Sequence, residues 1–130
     1  MSMVHDNVIR SYSLDFEAET LTMKTLYHTD SVFEKTDVIF RGYLAHVFEN
    51  ETKGSIIFDI EEYPLNLFLK NERTLLAKKK KYAWPFYYQA ETEFVGFFQA
   101  HGYKIFEIRS SYGLCGFVFA KQMEINVKEC

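Results

Sequence analysis

An α+β domain, with a largely antiparallel sheet of about six strands packed on two or three helices, is the fold class this sequence predicts. Three observations point to it. Apolar and polar residues alternate with period two from Tyr12 to Ile60. The period lengthens to three and four after Glu61-Glu62-Tyr63-Pro64, and alternation resumes beyond Gly102. Strands first, helices next and strands last is a segregated order, unlike the strict alternation of a parallel doubly wound sheet.

The elements follow in turn. Tyr12, Leu14 and Phe16 share one strand face, Leu21, Met23 and Tyr27 share the next, and the short Ala18-Glu19 connection predicts a hairpin. Thr29 to Asp37 is polar and reads as a loop. From Val38 to Glu49 both alternating sets are apolar, which predicts one long strand covered on both faces. The loop from Asn50 to Gly54 leads into a strand over Ser55 to Ile60. Leu65, Phe68, Leu69, Glu72, Leu75 and Leu76 then lie on one helix face, with Pro64 suited to the start and a possible break at Asn71. Two acidic residues ahead of that helix and Lys78 to Lys81 at its end match the helix dipole. A further helix over Thr92 to His101 puts Phe94, Phe97, Phe98 and His101 on one stripe and stops at Gly102. Tyr103 to Arg109 and Leu114 to Ile125 complete the chain as a hairpin around Ser110-Ser111-Tyr112-Gly113.

Size and composition bound the function. The chain has 130 residues, 48% of them hydrophobic and 18% aromatic, so it forms one domain over residues 1–130 and is not intrinsically disordered. A chain of this size buries about two-thirds of its unfolded surface, enough for a single core. No apolar run approaches the roughly 18 residues of a membrane span, and MSMVHDNVIR lacks a secretory pattern, so a cytoplasmic location is expected. Cys115 and Cys130 have neither metal spacing nor the density of a disulfide scaffold, and read as free thiols.

The most distinctive segment runs from Lys78 to Tyr88. Residues 70–81 hold six basic side chains against Glu72 alone, a local charge of +5 in a chain of net charge −3. Lys78, Lys79, Lys80 and Lys81, followed by Tyr82, Trp84, Tyr87 and Tyr88, are the candidate binding residues. Cations neutralise phosphates and rings stack on bases, which is what a single-stranded nucleic-acid site requires. A solvated helix end followed by core aromatics explains the same pattern without any ligand.

Other signals are weaker. Asp59 and Glu61, at alternate strand positions, point the same way and could hold a cation or form an acid/base pair. A polar strand face beside the negatively charged start of a helix accounts for them more simply. His5, His28, His46 and His101 form no zinc pattern, and His46 and His101 read as hydrogen-bonded core residues. Ser110 and Ser111 sit in no GxSxG turn, and Gly113 and Gly116 precede no helix. Gly116 reads as a bulge or a site of close packing over the strand. No catalytic residue, metal or cofactor is expected.

Apolar residues on both faces of the central strands raise one more question, because a few short helices cannot cover a whole sheet face. Ile39, Tyr43, Ala45 and Val47, or Cys115, Phe117 and Phe119, need another subunit, a ligand cavity or a sheet that closes on itself. The expectation is a small non-catalytic interaction protein that binds another protein or itself as a homodimer, with its acidic body as the docking field. A toxin-neutralising immunity protein is one compatible instance. Nucleic-acid binding through Lys78 to Tyr88 is the alternative, and a ligand- or metal-binding enzyme built around Asp59, Glu61 and a histidine is the third.

Overall fold

Local chemistry sets the first hairpin. β1 (Val8–Asp15) and β2 (Thr20–His28) pair antiparallel, and between them the Asp15 carboxylate accepts hydrogen bonds from the amides of Glu17 (3.1 Å) and Ala18 (3.0 Å). That side chain replaces backbone partners in the turn. β3 (Phe33–Arg41) continues the meander along β2, followed by β4 (Ala45–Glu49) and β5 (Ile56–Tyr63). Three helices come next: α1 (Leu65–Asn71), α2 (Arg73–Lys79) and α3 (Glu91–His101). β6 (Lys104–Tyr112), β7 (Cys115–Ala120) and β8 (Gln122–Lys128) end the fold. This computed structural model describes residues 4–128, so Cys130 lies outside the described residues.

Among the described residues, all eight strands belong to one antiparallel sheet, in the order β4-β7-β6-β5-β1-β2-β3-β8. Two of the strands expected from the sequence are each broken in two. The run from Val38 to Glu49 bends between β3 and β4 at Gly42, where φ is 67°, and the last run bends at Lys121 between β7 and β8. The two bends face each other: Lys121 N–H donates to Arg41 O (2.9 Å), Leu44 N–H donates to Phe119 O (2.8 Å), and a Cβ on Gly42 would meet the Lys121 side chain. Hence eight strands stand where about six were expected, with five before the helices and three after.

That double bend closes the sheet. The strands at the two ends of the order, β4 and β8, are continuations of β3 and β7. Pairing of β3 with β8 and of β4 with β7 therefore rolls the ladder into a barrel. The β1–β5 seam is short, pinned at Val8 opposite Ile56 by Asp6 N–H to Ile57 O (2.8 Å), Ile57 N–H to Asn7 O (2.9 Å) and Ile9 N–H to Ser55 O (2.8 Å).

Two buried clusters divide the core. Leu21, Met23, Val38, Phe40, Ile108 and Val118 fill the inside of the barrel. On the outer face of β4, β6 and β7, Ala45, Ile105 and Phe119 pack against Phe68, Leu69 and Leu76 of α1 and α2 and Phe94 and Phe98 of α3. Closure and helices together thus bury Ala45 and Phe119, while Ile39, Tyr43, Val47, Cys115 and Phe117 stay half-buried.

The helices end where the sequence marks. Glu72 separates α1 from α2, next to the break anticipated at Asn71, and Gly102 (φ 73°) stops α3 while Tyr103 N–H returns to Phe98 O (2.9 Å). The final hairpin differs from expectation. β6 runs through Ser110 and Ser111 to Tyr112, so the turn shrinks to Gly113-Leu114, held by Leu114 N–H to Ser55 Oγ (2.9 Å). Gly116 (φ 149°) is a close backbone approach, since a Cβ there would run into Val47 O and Phe48 Cα.

Candidate functional site

The basic and aromatic segment links α2 to α3 as an irregular excursion. Lys80–Tyr82 forms one 3₁₀ turn, Ala83 adopts a left-handed conformation (φ 55°), and Ala83 N–H bonds Lys80 O (2.9 Å). Alternate residues beyond it turn inward. Pro85 is buried, Trp84 packs on Phe119 with ring centroids 5.3 Å apart, Phe86 stacks on Phe97 at 4.2 Å, and Tyr88 meets Phe94 edge-on at 5.0 Å. Tyr82 and Tyr87 turn outward, 73% and 72% exposed.

The lysines lie along these rings. The Lys79 ammonium sits 5.3 Å above Trp84, Lys80 sits 5.0 Å above Tyr88 and donates to Gln89 O (2.9 Å), and Lys81 sits 5.1 Å above Tyr82. A cation over a ring face is attracted by the ring's quadrupole, which holds the long side chains extended beside the tyrosines. Lys78 is exposed at the end of α2. Of the four rings anticipated for binding, Tyr82 and Tyr87 are exposed, Trp84 is half-buried, and Tyr88 is only 7% exposed. Burial also raises the Tyr88 hydroxyl pKa, as expected of a core phenol. Tyr87 is further oriented by Gln89, whose Nε2 donates to its hydroxyl (3.0 Å). The chain thus presents a knob anchored by Trp84, Pro85, Phe86 and Tyr88, from which Tyr82, Tyr87, Lys78, Lys80 and Lys81 project while Lys79 lies half-buried over Trp84.

No family model, curated protein or solved structure matches this chain. Its functional reading therefore rests on its own residues.

The remaining titratable groups fall into structural pairings. Asp59 is 7% exposed and accepts two hydrogen bonds from Arg109 (2.8 and 2.5 Å), which hold its carboxyl below the usual aspartate range. That ion pair, across β5 and β6, claims the carboxylate anticipated as half of a cation site with Glu61. Among the described residues, no group of three or more His, Cys, Asp and Glu side chains could hold a metal ion. Glu107, half-buried near α2, has its pKa raised by desolvation.

One polar network went unnoticed in the sequence. At one end of the barrel the Tyr12 hydroxyl donates to Glu51 Oε2 (2.6 Å), and the Tyr43 hydroxyl lies 2.7 Å from His46 Nδ1. Tyr12 also meets Phe48 edge-on at 5.2 Å and His46 at 6.0 Å. The Glu51 bond, burial and the Glu51 charge push the Tyr12 pKa up to about 12, while burial raises Tyr43. Burial lowers His46, aided by the Lys79 charge and opposed by Glu51. Tyr12, Tyr43, His46 and Phe48 thus form one cluster of touching rings. Tyr12 and His46 are each interpretable as strand residues, but only the pairing of β4 with β7 and the path of the 50–54 loop bring them together.

His101, placed on the apolar stripe of α3 by its spacing, is exposed on the helix's last turn against Phe97 (4.6 Å) rather than in the core. Cys115 is half-buried, with Asn50 Nδ2 at 4.0 Å from its sulfur. No described helix is long and apolar enough to cross a membrane.

Proposed function

We propose that this chain is a small interaction protein that docks on another protein through the knob formed by Lys78, Lys79, Lys80, Lys81, Tyr82 and Tyr87. The observation that carries this reading is the outward mounting of Tyr82 and Tyr87, 73% and 72% exposed, on a backbone anchored by Trp84, Pro85, Phe86 and Tyr88. Exposed tyrosines fixed before binding lose little entropy on contact, and tyrosine is among the residues that dominate interface energetics. The +5 local charge selects an acidic partner surface and makes association sensitive to salt. Inhibition of a partner by surface complementarity, as an immunity protein acts on its toxin, is the mode this arrangement suits.

Photo-crosslinking from position 82 or 87 in living cells tests the proposal. The expected result is one dominant protein adduct, lost when Lys78 to Lys81 are changed to Glu and weakened by Tyr82→Ala with Tyr87→Ala. Adducts that are unspecific, or unchanged in those variants, would overturn it.

Single-stranded nucleic acid is the second reading, supported by the ammonium groups that flank the Tyr82 and Trp84 rings. Two exposed rings instead of four reduce the stacking such a site would offer. Salt-dependent quenching of Trp84 fluorescence by oligonucleotides, absent in the lysine variants, is the result that would favour it.

A further inference from the structure

A second basic surface lies on the barrel wall, away from the Lys78–Tyr87 knob. Arg10 and Ser11 of β1, Lys24 of β2, Lys35 and Asp37 of β3 and Lys128 of β8 line a depression of about 580 Å³. The register explains the convergence. Ser11 pairs with Lys24, Lys24 with Asp37, and Lys35 with Lys128, so one outward face carries these side chains in adjacent rows. A bulge between Ile9 and Ser11 adds Arg10 as the extra residue of its strand. The bulge also switches the inward set from Ile9 to Tyr12 and Leu14, leaving Arg10 and Ser11 with the polar face.

The charges are not balanced internally. Among the described residues that line it, four cations face one carboxylate, Asp37, whose contact with Lys128 is long at 3.9 Å. Lys35 and Lys128 are direct cross-strand neighbours, a placement in which like charges repel. Elsewhere on the same wall the sheet pairs its charges: Arg41 bonds Glu124 at 3.1 Å. A depression that gathers excess positive charge, with a serine hydroxyl at its rim, suits an anion with several oxygens.

We infer that this depression binds a phosphate-bearing ligand carrying more than one negative charge, whether a bare phosphate chain or the phosphates of a nucleotide. Arg10 offers a forked donor to two oxygens, Lys24 and Lys35 supply point charges, and the ligand relieves the opposition of Lys35 and Lys128. The site is independent of the docking knob. Lysine and arginine are spread singly over four strands here, so the cluster has no linear motif.

The test is a titration of the full chain with inorganic tripolyphosphate and, separately, with a nucleoside triphosphate, read by thermal shift and calorimetry at physiological salt. Wild-type protein is expected to gain melting temperature with ligand concentration, as any ligand selective for the folded state requires. The Lys24→Gln/Lys35→Gln variant is expected to bind about tenfold or more weakly, from the loss of two charge-assisted contacts. Lys24→Arg/Lys35→Arg keeps the charges and retains binding. The Gln variant folds as well as wild type or better, because removing Lys35 also removes a like-charge pair. A variant with Lys78 to Lys81 changed to Gln is expected to bind tripolyphosphate as wild type does. Equal affinity for the two ligands identifies the phosphate chain as the recognised group, and tighter nucleotide binding identifies a nucleotide. Absence of any shift, or a shift lost in the Lys78–Lys81 variant and kept in Lys24→Gln/Lys35→Gln, would overturn the assignment.

Discussion

Phe119→Ala is the sharpest probe of how the helices are held to the barrel. The Phe119 ring is fully buried on the outer face of β7, with ring centroids of Phe68 at 5.1 Å, Trp84 at 5.3 Å and Phe98 at 5.7 Å. Truncating a buried phenylalanine costs about 3–5 kcal/mol, and losing three aromatic neighbours puts this site at about 4 kcal/mol or above. Against a typical total of about 5–15 kcal/mol that is a large fraction. With an unfolding entropy of about 2.1 cal/mol/K per residue, 4 kcal/mol corresponds to a fall of about 15 °C in Tm. Urea denaturation followed by circular dichroism measures the loss. Trp84 emission in the folded state should shift to the red, because the indole loses the ring it packs against. Phe117→Ala, only half-buried on the same face, should cost about half as much. A loss below about 1 kcal/mol for Phe119→Ala, or unchanged Trp84 emission, would refute this account of the helix–barrel contact.

Three other outcomes are expected. Gly116→Ala should destabilise by about 2 kcal/mol or more in denaturant titration, since its Cβ meets the β4 backbone at a φ of 149°. Stability should fall as pH drops through about 6.5: there the unfolded chain takes up a proton that folded His46, with its lowered pKa, resists. His46→Gln should flatten that limb of the unfolding profile. The Tyr12 phenol, titrated by its ultraviolet absorbance, should ionise near 12, and Glu51→Gln should bring it back toward 10, because the carboxylate acts both as acceptor and as charge.

Alternation identified most of the strands, the three-and-four spacing identified α1 to α3, and Gly102 stops a helix as its type suggests. The polar run from Thr29 to Asp37, read as a loop, instead supplies the first half of β3 from Phe33 onward, where pairing with β2 and β8 overrides its polar composition. The bends at Gly42 and Lys121 are marked only by Arg41-Gly42 and Lys121-Gln122, short interruptions that the apolar residues continuing on both sides outweighed. Closure was hidden for a different reason: register between distant strands is decided by fit, not by nearby sequence. In the candidate site, the lysines and rings were visible as a run, but which rings face outward depends on the left-handed turn at Ala83 and the docking of Trp84 on Phe119. The parity change from Ile9 to Tyr12 was a readable sign of the β1 bulge. The basic wall patch left no such sign, since each of its residues looks like ordinary strand polarity.

The β3–β8 pairing carries a temporal consequence. During synthesis β1, β2 and β3 emerge early, yet the strand that covers the far edge of β3 is the last of the eight. At about 5–20 residues per second the nascent meander waits several seconds with that edge bare, a template for pairing with any neighbouring strand. Lys24 and Lys35, already in place on this wall, would then keep two such half-made chains apart, until β8 arrives to seal the seam.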